Sequence, residues 1–149
     1  MKKRAGVILG QMAVAMAILV ILCSYGITNV DTFKHPSQNA AAMQNINALA
    51  GFISQYRYQT GSYPPNLEAL TVKKGVYGPW ILKLPTEDPW GTKSAGIDGN
   101  GGTSAYCYAK SANGFAVWSL GKNQANNSGG GGNVLPTAFG GDDVGVLGQ

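Results

Sequence analysis

The chain has 149 residues, of which 22 are glycine and only 12% are charged. Lys2, Lys3 and Arg4 supply three of the net four positive charges, so the remainder of the chain is nearly neutral. Proteins that bind nucleic acids usually carry clustered Lys and Arg side chains interleaved with aromatic residues. This sequence lacks that pattern, so we expect no nucleic-acid partner. Roughly 120 residues follow the N-terminal apolar stretch, which is enough for one small, loop-rich domain.

A basic head and a long uncharged stretch begin the chain. Lys2–Arg4 precede Gly6, and the residues from Val7 to Cys23 carry no charge. A membrane-spanning helix needs about 20 apolar residues, and Val7–Ile27 meets that length if Gln11, Ser24 and Gly26 are tolerated. Basic residues stay on the cytoplasmic side of a membrane, so we expect an anchored protein whose bulk lies outside the cytoplasm.

Three interpretations of this N-terminal segment compete. A secretory signal peptide ends in a small-residue cleavage site after its apolar core, and Ser24–Gly26 fits such a site poorly. A permanent membrane anchor and a prepilin, which is cut before its apolar helix, both fit the residues. The residues alone therefore predict anchoring without deciding between these two.

A second, amphipathic helix is predicted after a break at His35 and Pro36, because the residue before a proline disfavours the helical conformation. Ser37 suits the N-cap of this helix, and Thr60-Gly61 predicts its end. Its polar face is rich in Asn and Gln, whereas apolar residues recur at helical spacing on the other face. These apolar residues are Ala40, Met43, Ile46, Ala50 and Ile53, with Leu49 and Phe52 beside them.

Short elements and turns are predicted in the middle of the chain. Asn66 suits the N-cap of a short helix that ends near Leu70. Asp88-Pro89-Trp90-Gly91 has the composition of a turn, in which the Asp side chain accepts hydrogen bonds from backbone amides. A further turn is expected at Asp98–Gly102.

The last third of the sequence predicts a small antiparallel sheet. Tyr106–Ala109 and Gly114–Leu120 are rich in β-prone residues, and the Asn-Gly turn between them is a strong hairpin signal. Val144–Val146 is predicted as a last strand. Gly121–Gly141 is rich in Gly and Asn without periodicity, which predicts a mobile loop unless another interaction pins it.

The sequence provides no constellation for catalysis. It contains no nucleophile pattern, no phosphate-binding Gly-x-x-x-x-Gly-Lys loop and no Cys/His metal spacing, so we expect no enzymatic activity. Cys23 lies in the apolar stretch and Cys107 in a strand, which predicts no disulfide between them, and His35 has no partner residues. The three tryptophans are expected to anchor loops on the sheet; they are Trp80, Trp90 and Trp118.

Five short motifs stand along the chain in a fixed order. They are Gln55–Pro64, Leu67–Leu70, Gly78–Gly91, Gly114–Gly121 and Gly141–Val144. In this order they resemble the major pseudopilins of type II secretion systems and their close relatives, and the resemblance covers nearly the whole chain. It implies a type IV pilin-like α+β fold, in which a long N-terminal hydrophobic helix packs on a small antiparallel β-sheet.

The resemblance implies a structural role and a division of the chain. Residues 1–6 would be a leader that a prepilin peptidase removes between Gly6 and Val7, and Val7 would then be N-methylated. Residues 7–33 would form the transmembrane and filament-core helix. Residues 34–149 would form a periplasmic domain.

The implied assembly is a filament. The subunit would sit in the bacterial inner membrane as a single-pass protein. It would polymerise there with copies of itself and with other pseudopilins on an inner-membrane assembly platform, and the filament would drive folded proteins across the outer membrane. Two alternatives stay open: a type IV pilus subunit or minor pilin used in adhesion, motility or DNA uptake, and a membrane-anchored monomeric periplasmic module.

Gln11 departs from the family pattern. Members usually carry Glu as the fifth residue after the cleavage site, where the carboxylate meets the amino terminus of a neighbouring subunit. Gln11 can accept a hydrogen bond from that amine but cannot neutralise it, and a buried amine without a counter-charge is costly. This residue bears on filament assembly and on whether the subunit is a major or a minor one.

The resemblance also implies a Ca²⁺ site in the loop after the last strong strand. The matching ligands are the Leu120 carbonyl, Asn123, Asp142 and Asp143. Ca²⁺ takes about 6–8 oxygen ligands, and it would relieve the repulsion between the two adjacent aspartates. Long irregular loops are uncommon in compact domains and usually serve a function, which here would be to hold the metal ion. The alternative is an Asp pair on a solvated turn, and Asn123 replaces a common Asp, so we expect a weak site.

Overall fold

The computed structural model describes residues 2–93, 95 and 104–149. For residues 2–10 and 21–35 it describes the backbone only. Its elements are helix α1 (Lys2–Thr60), a short 3₁₀ helix (Leu67–Thr71) and strands β1 (Cys107–Lys110), β2 (Phe115–Ser119) and β3 (Val144–Gly148). The predicted α+β class is therefore confirmed. The turn predicted at Asp98–Gly102 lies outside the described residues.

Helix α1 runs through Pro36 without interruption. The predicted break at His35-Pro36 and the N-cap at Ser37 are therefore wrong. An internal proline removes one backbone hydrogen bond and strains one turn, but the turns on either side of it continue the helical pattern. The part of the chain that the structure describes includes no helix that is both long and apolar enough to cross a membrane.

The chain divides into two compact units, one ending at Ser37 and the other comprising Gln38–Gln149. In the first unit the side chains of residues 11–20 are exposed, and Gln11 is among them. Large apolar side chains in this stretch keep between 53% and 74% of their surface accessible; they are Met12, Val14, Met16, Ile18, Leu19 and Val20.

In the second unit, one face of α1 is buried against the sheet. Ile46, Leu49, Ile53 and Tyr56 recur at three- and four-residue spacing and are almost inaccessible to solvent, as the helical period requires. They share a core with Tyr108, Phe115 and Val117 of the sheet. The predicted core position Ala40 is exposed, because the buried stripe begins at Ala42.

The sheet has the order β1-β2-β3 with antiparallel neighbours. The predicted hairpin is confirmed, and Ser111 N donates to Gly114 O across its turn at 2.7 Å. Side chains alternate between the two faces of the sheet. Tyr108 and Val117 face the helix core, whereas Ala116 and Trp118 belong to a second apolar cluster.

The second cluster is covered by the glycine-rich segment. Leu135 and Phe139 pack against it, and the ring centroids of Phe139 and Trp118 lie 6.3 Å apart. Gly121–Gly141 is thus pinned on the sheet by these apolar contacts. The sequence predicted a mobile loop only in the absence of such an interaction.

Two buried tyrosines fasten the sheet to its surroundings. Tyr108 donates its hydroxyl hydrogen to Pro64 O at 3.0 Å, and Asn45 donates to the Tyr106 hydroxyl at 2.9 Å. Burial raises the pKa of Tyr108. Burial is also the main cause that raises the pKa of Tyr106, which the hydrogen bond from Asn45 partly offsets. Both shifts favour the neutral hydroxyl in the folded domain.

We expect Ile46→Ala to lower the free energy of unfolding by about 2–5 kcal/mol, because it removes a fully buried side chain and leaves a cavity. The matched control is Asn47→Ala on the exposed side of the same helical turn, which should change stability by no more than about 0.5 kcal/mol. Urea unfolding of the full chain in detergent, followed by tryptophan fluorescence, measures both. Equal losses would contradict this description of the core.

Candidate functional site

The register of the sheet brings the predicted calcium ligands together. Ser119 of β2 pairs with Val144 of β3 in antiparallel fashion, so the residues just after Ser119 lie beside those just before Val144. Asn123 N donates to Asp142 Oδ2 at 2.7 Å, which joins the two segments directly. The structure therefore places Leu120 and Asn123 close in space to Asp142 and Asp143, although 19 positions separate the bonded pair in sequence.

Gly121 allows this close approach. Its φ is +65°, a left-handed conformation that glycine adopts at little cost. A Cβ atom placed on Gly121 would lie only 2.1 Å from the Asp142 carbonyl oxygen. The backbones of the two segments are thus in contact, and a side chain at this position would force them apart.

Asp143 organises the loop that lies between these segments. It is 8% exposed, and its Oδ2 accepts hydrogen bonds from Asn127 N at 2.9 Å and from Ser128 Oγ at 2.5 Å. Neither Asn127 nor Ser128 was predicted to take part in the site. A glycine-rich loop has no periodic signal that could have identified them.

The other carboxylate oxygen of Asp143 is the atom whose surroundings best fit a bound cation. Oδ1 is buried and has no hydrogen-bond partner among the described residues. A buried carboxylate oxygen without a partner is costly, and a bound cation would relieve that cost. Carboxylate, carbonyl and amide oxygens are also the ligand types that Ca²⁺ prefers, so this residue set fits Ca²⁺.

Neutral oxygens would have to complete the coordination. In the described ranges, no three or more His, Cys, Asp or Glu side chains come together. The two aspartates would therefore need the Leu120 carbonyl and the Asn123 side chain, which are the further ligands that the family resemblance implies. In the structure Asn123 Oδ1 accepts a hydrogen bond from Ala125 N at 2.8 Å, which leaves one lone pair on that oxygen for a cation.

A second structural centre is the buried side chain of Asp88. Its Oδ1 accepts hydrogen bonds from Trp90 N at 3.0 Å and from Thr92 N at 2.7 Å, while Gly91 N donates to the Asp88 carbonyl at 3.0 Å. The predicted Asp-Pro-Trp-Gly turn is confirmed by these contacts. The other carboxylate oxygen of Asp88 accepts from Ser119 Oγ at 2.6 Å, which joins the turn to the end of β2.

The remaining predicted residues are distributed over the molecule. At the predicted cleavage site, Gly6 and Val7 lie in helix α1 and only their backbone is described. The side chains of Cys23 and His35 are outside the described part of the chain. Cys107 is buried in β1. The tryptophans pack mainly as anchors: Trp80 is buried against Tyr56 with ring centroids 4.5 Å apart, Trp118 lies against Phe139, and Trp90 is partly buried.

The chain is similar to known components of one secretion system. A sequence model of the family described as "Type II secretion system (T2SS), protein G" matches residues 29–135. The type II secretion system core protein G of Vibrio cholerae serotype O1 is 32% identical over 101 residues, which cover 61% of this chain and 68% of that protein.

One solved structure is also similar. It is the crystal structure of the major pseudopilin from the type 2 secretion system of enterohaemorrhagic Escherichia coli, with a TM-score of 0.47 and 23% identity. The alignment covers 78% of this chain and 92% of that one. The family match ends at residue 135, so Asp142 and Asp143 lie beyond it.

Substitutions at two glycines separate the effect of the close contact at Gly121 on stability from the effect of its left-handed backbone conformation. Gly121 and Gly129 have φ values of +65° and +71°, but only Gly121 lacks room for a Cβ atom. We expect Gly129→Ala to lower the free energy of unfolding by about 1–2 kcal/mol for the left-handed conformation alone. Gly121→Ala should lose a further 1–3 kcal/mol or so because it displaces Asp142. Chemical denaturation measures both, and equal losses would contradict the backbone contact.

Proposed function

The chain belongs to the family of type II secretion system protein G, and we propose that it is a structural subunit of the pseudopilus of such a system. The family match over residues 29–135 is the observation that carries this conclusion. With the relative of 32% identity, it confirms the resemblance, and four of the five ordered motifs lie within the matched residues. Secretion is thereby favoured over a pilus subunit or a monomeric module.

The role of this subunit is mechanical rather than chemical. Members of the family build a filament for protein secretion, and we propose that this chain has no catalytic activity of its own. Its partners are components of the same secretion system. Copies of itself, other pseudopilins, an inner-membrane assembly platform and a prepilin peptidase are the specific partners that we propose.

The first unit suits an anchor and filament core. It exposes a run of large apolar side chains between residues 11 and 20, and contiguous apolar surface of this kind usually marks a contact with a membrane or with another protein. The Lys2–Arg4 head would hold the amino end inside. We propose that residues 7–33 anchor the subunit in the inner membrane before cleavage after Gly6, that Val7 is then N-methylated, and that residues 34–149 lie in the periplasm.

Gln11 is the residue of this unit that bears on assembly. It is exposed on α1 and stands where family members usually carry Glu. We propose that Gln11 meets the amino terminus of a neighbouring subunit through a hydrogen bond without charge neutralisation. This contact would weaken self-assembly and would favour mixed filaments in which another subunit supplies the carboxylate.

The second unit holds the proposed Ca²⁺ site. Asp142 and Asp143 would supply the negative charge, and the Leu120 carbonyl and Asn123 would supply neutral oxygen. The unpartnered, buried Oδ1 of Asp143 supports this assignment. Bound Ca²⁺ would neutralise the adjacent carboxylates and hold the glycine-rich loop on the second face of the sheet.

We expect deletion of the gene in its own bacterium to leave exported proteins trapped in the periplasm, and the intact gene to restore their secretion. Mass spectrometry of the restored protein should show a chain that begins at N-methylated Val7. The matched variant Gln11→Glu should increase filament formation, since it supplies a charge for the neighbouring amine. Loss of surface pili with unchanged secretion would support the pilus interpretation instead.

The calcium site is tested by thermal unfolding of the full chain in detergent. Ca²⁺ at 100 times its Kd should add about 2.7 kcal/mol relative to chelator, which corresponds to a rise in Tm of several degrees. Asp142→Asn keeps an acceptor for Asn123 N but removes the charge, so it should abolish most of this rise. Asn133→Ala, an exposed change in the same loop, should retain it. An equal rise in both variants would place the cation elsewhere.

A further inference from the structure

Two of the four proposed ligands lie in a short segment that is fixed at both ends. Leu120 and Asn123 belong to the stretch Ser119–Gln124. The side chain at each end of this stretch forms a hydrogen bond to the same turn, Asp88–Thr92. The turn is remote in sequence, since 31 positions separate Asp88 from Ser119.

The first attachment sets the orientation of a ligand. Ser119 Oγ donates its only hydrogen to Asp88 Oδ2 at 2.6 Å, so it can serve Gly121 N only as an acceptor, at 3.2 Å. The Gly121 N–H and the Leu120 carbonyl belong to one planar trans peptide group and point in opposite directions. Fixing the N–H towards Ser119 therefore fixes the Leu120 carbonyl towards the other side of that peptide.

The second attachment holds a strained residue. Gln124 has a φ of +54°, which is uncommon for a residue with a side chain. Its Nε2 donates to the Trp90 carbonyl at 3.2 Å. Asn123 is the residue immediately before it, so this hydrogen bond limits where the Asn123 side chain can lie.

We propose that the Asp88–Thr92 turn is the positioning element of the calcium loop, acting through Ser119 and Gln124. This inference rests on the calcium site proposed above. A ligand set that is already in place loses less conformational freedom when the cation binds, so its affinity is higher. Asp88, Ser119 and Gln124 touch the loop and the turn, and are positioning residues without being ligands.

The chain offers a close control for this idea. Gln38 Nε2 donates to the Pro89 carbonyl at 2.9 Å, one residue before the carbonyl that accepts from Gln124. Both glutamines thus form the same kind of hydrogen bond to adjacent carbonyls of one turn. Only Gln124 belongs to the loop, whereas Gln38 belongs to α1.

Calorimetric titration of the full chain in detergent with CaCl₂ tests the proposal. Gln124→Ala and Ser119→Ala should weaken Ca²⁺ binding about 10- to 100-fold, as expected when a group that orients metal ligands is lost. The Kd of Gln38→Ala for Ca²⁺ should stay within about twofold of that of the unmodified chain, as for a site without coupling to the loop. Gln124 is exposed, so its variant carries the test if Ser119→Ala does not fold.

A second readout works without the metal. In chelator, the amides of Gly121 and Asn123 should exchange with solvent faster in Ser119→Ala and Gln124→Ala than in Gln38→Ala. If the unmodified chain binds no Ca²⁺, the calcium site itself is wrong and this inference falls with it. If it binds Ca²⁺ and the two loop variants bind equally well, the positioning role is overturned while the calcium site stands.

Discussion

A sheet of three short strands has two faces, and in the second unit of this protein both faces are apolar. Strands in such a sheet cannot bury their side chains against each other, so each face needs its own cover. Helix α1 covers one face with Ile46, Leu49 and Ile53. The other face, with Ala116 and Trp118, depends on the segment between β2 and β3. The position of that segment therefore determines the path of the loop and the arrangement of the candidate site.

The glycine-rich segment has little apolar surface with which to hold itself in place. Leu135 and Phe139 are its main contacts with the second face. Hydrogen bonds to buried carboxylates supply the rest, since Asp143 accepts from Asn127 and Ser128 while Asp88 reaches the start of the loop through Ser119. Such bonds are directional, so the loop has a defined path, and the polar atoms that hold it are also atoms that can hold a cation.

Membership in the protein G family explains what the two units of this structure are for. A filament subunit must present an apolar surface for assembly and a stable folded domain. The exposed apolar stretch at residues 11–20 suits the first requirement, and the doubly covered sheet suits the second. The Ca²⁺ ion that we propose for the loop would link the stability of the domain to the calcium concentration around it.

The sequence by itself determined the elements that depend on neighbouring residues. Helical spacing identified Ile46, Leu49 and Ile53, the Asn-Gly turn identified the β1–β2 hairpin, and the Asp-Pro-Trp-Gly composition identified its turn. The order of such local motifs was also enough to identify the family. Local rules failed at Pro36, where helix α1 continues although an interior proline removes one backbone hydrogen bond.

The family resemblance named the four proposed ligands, but only the tertiary structure brings them together. The pairing of Ser119 with Val144 places Leu120 beside Asp143, and no local signal reports a pairing across such a long loop. The contributions of Asn127, Ser128 and Gln124 were likewise invisible, because Asn, Ser and Gln in a glycine-rich stretch are compatible with many backbone paths. What selects one path is the burial of Asp88 and Asp143, whose carboxylates must find hydrogen-bond donors wherever the fold has placed them.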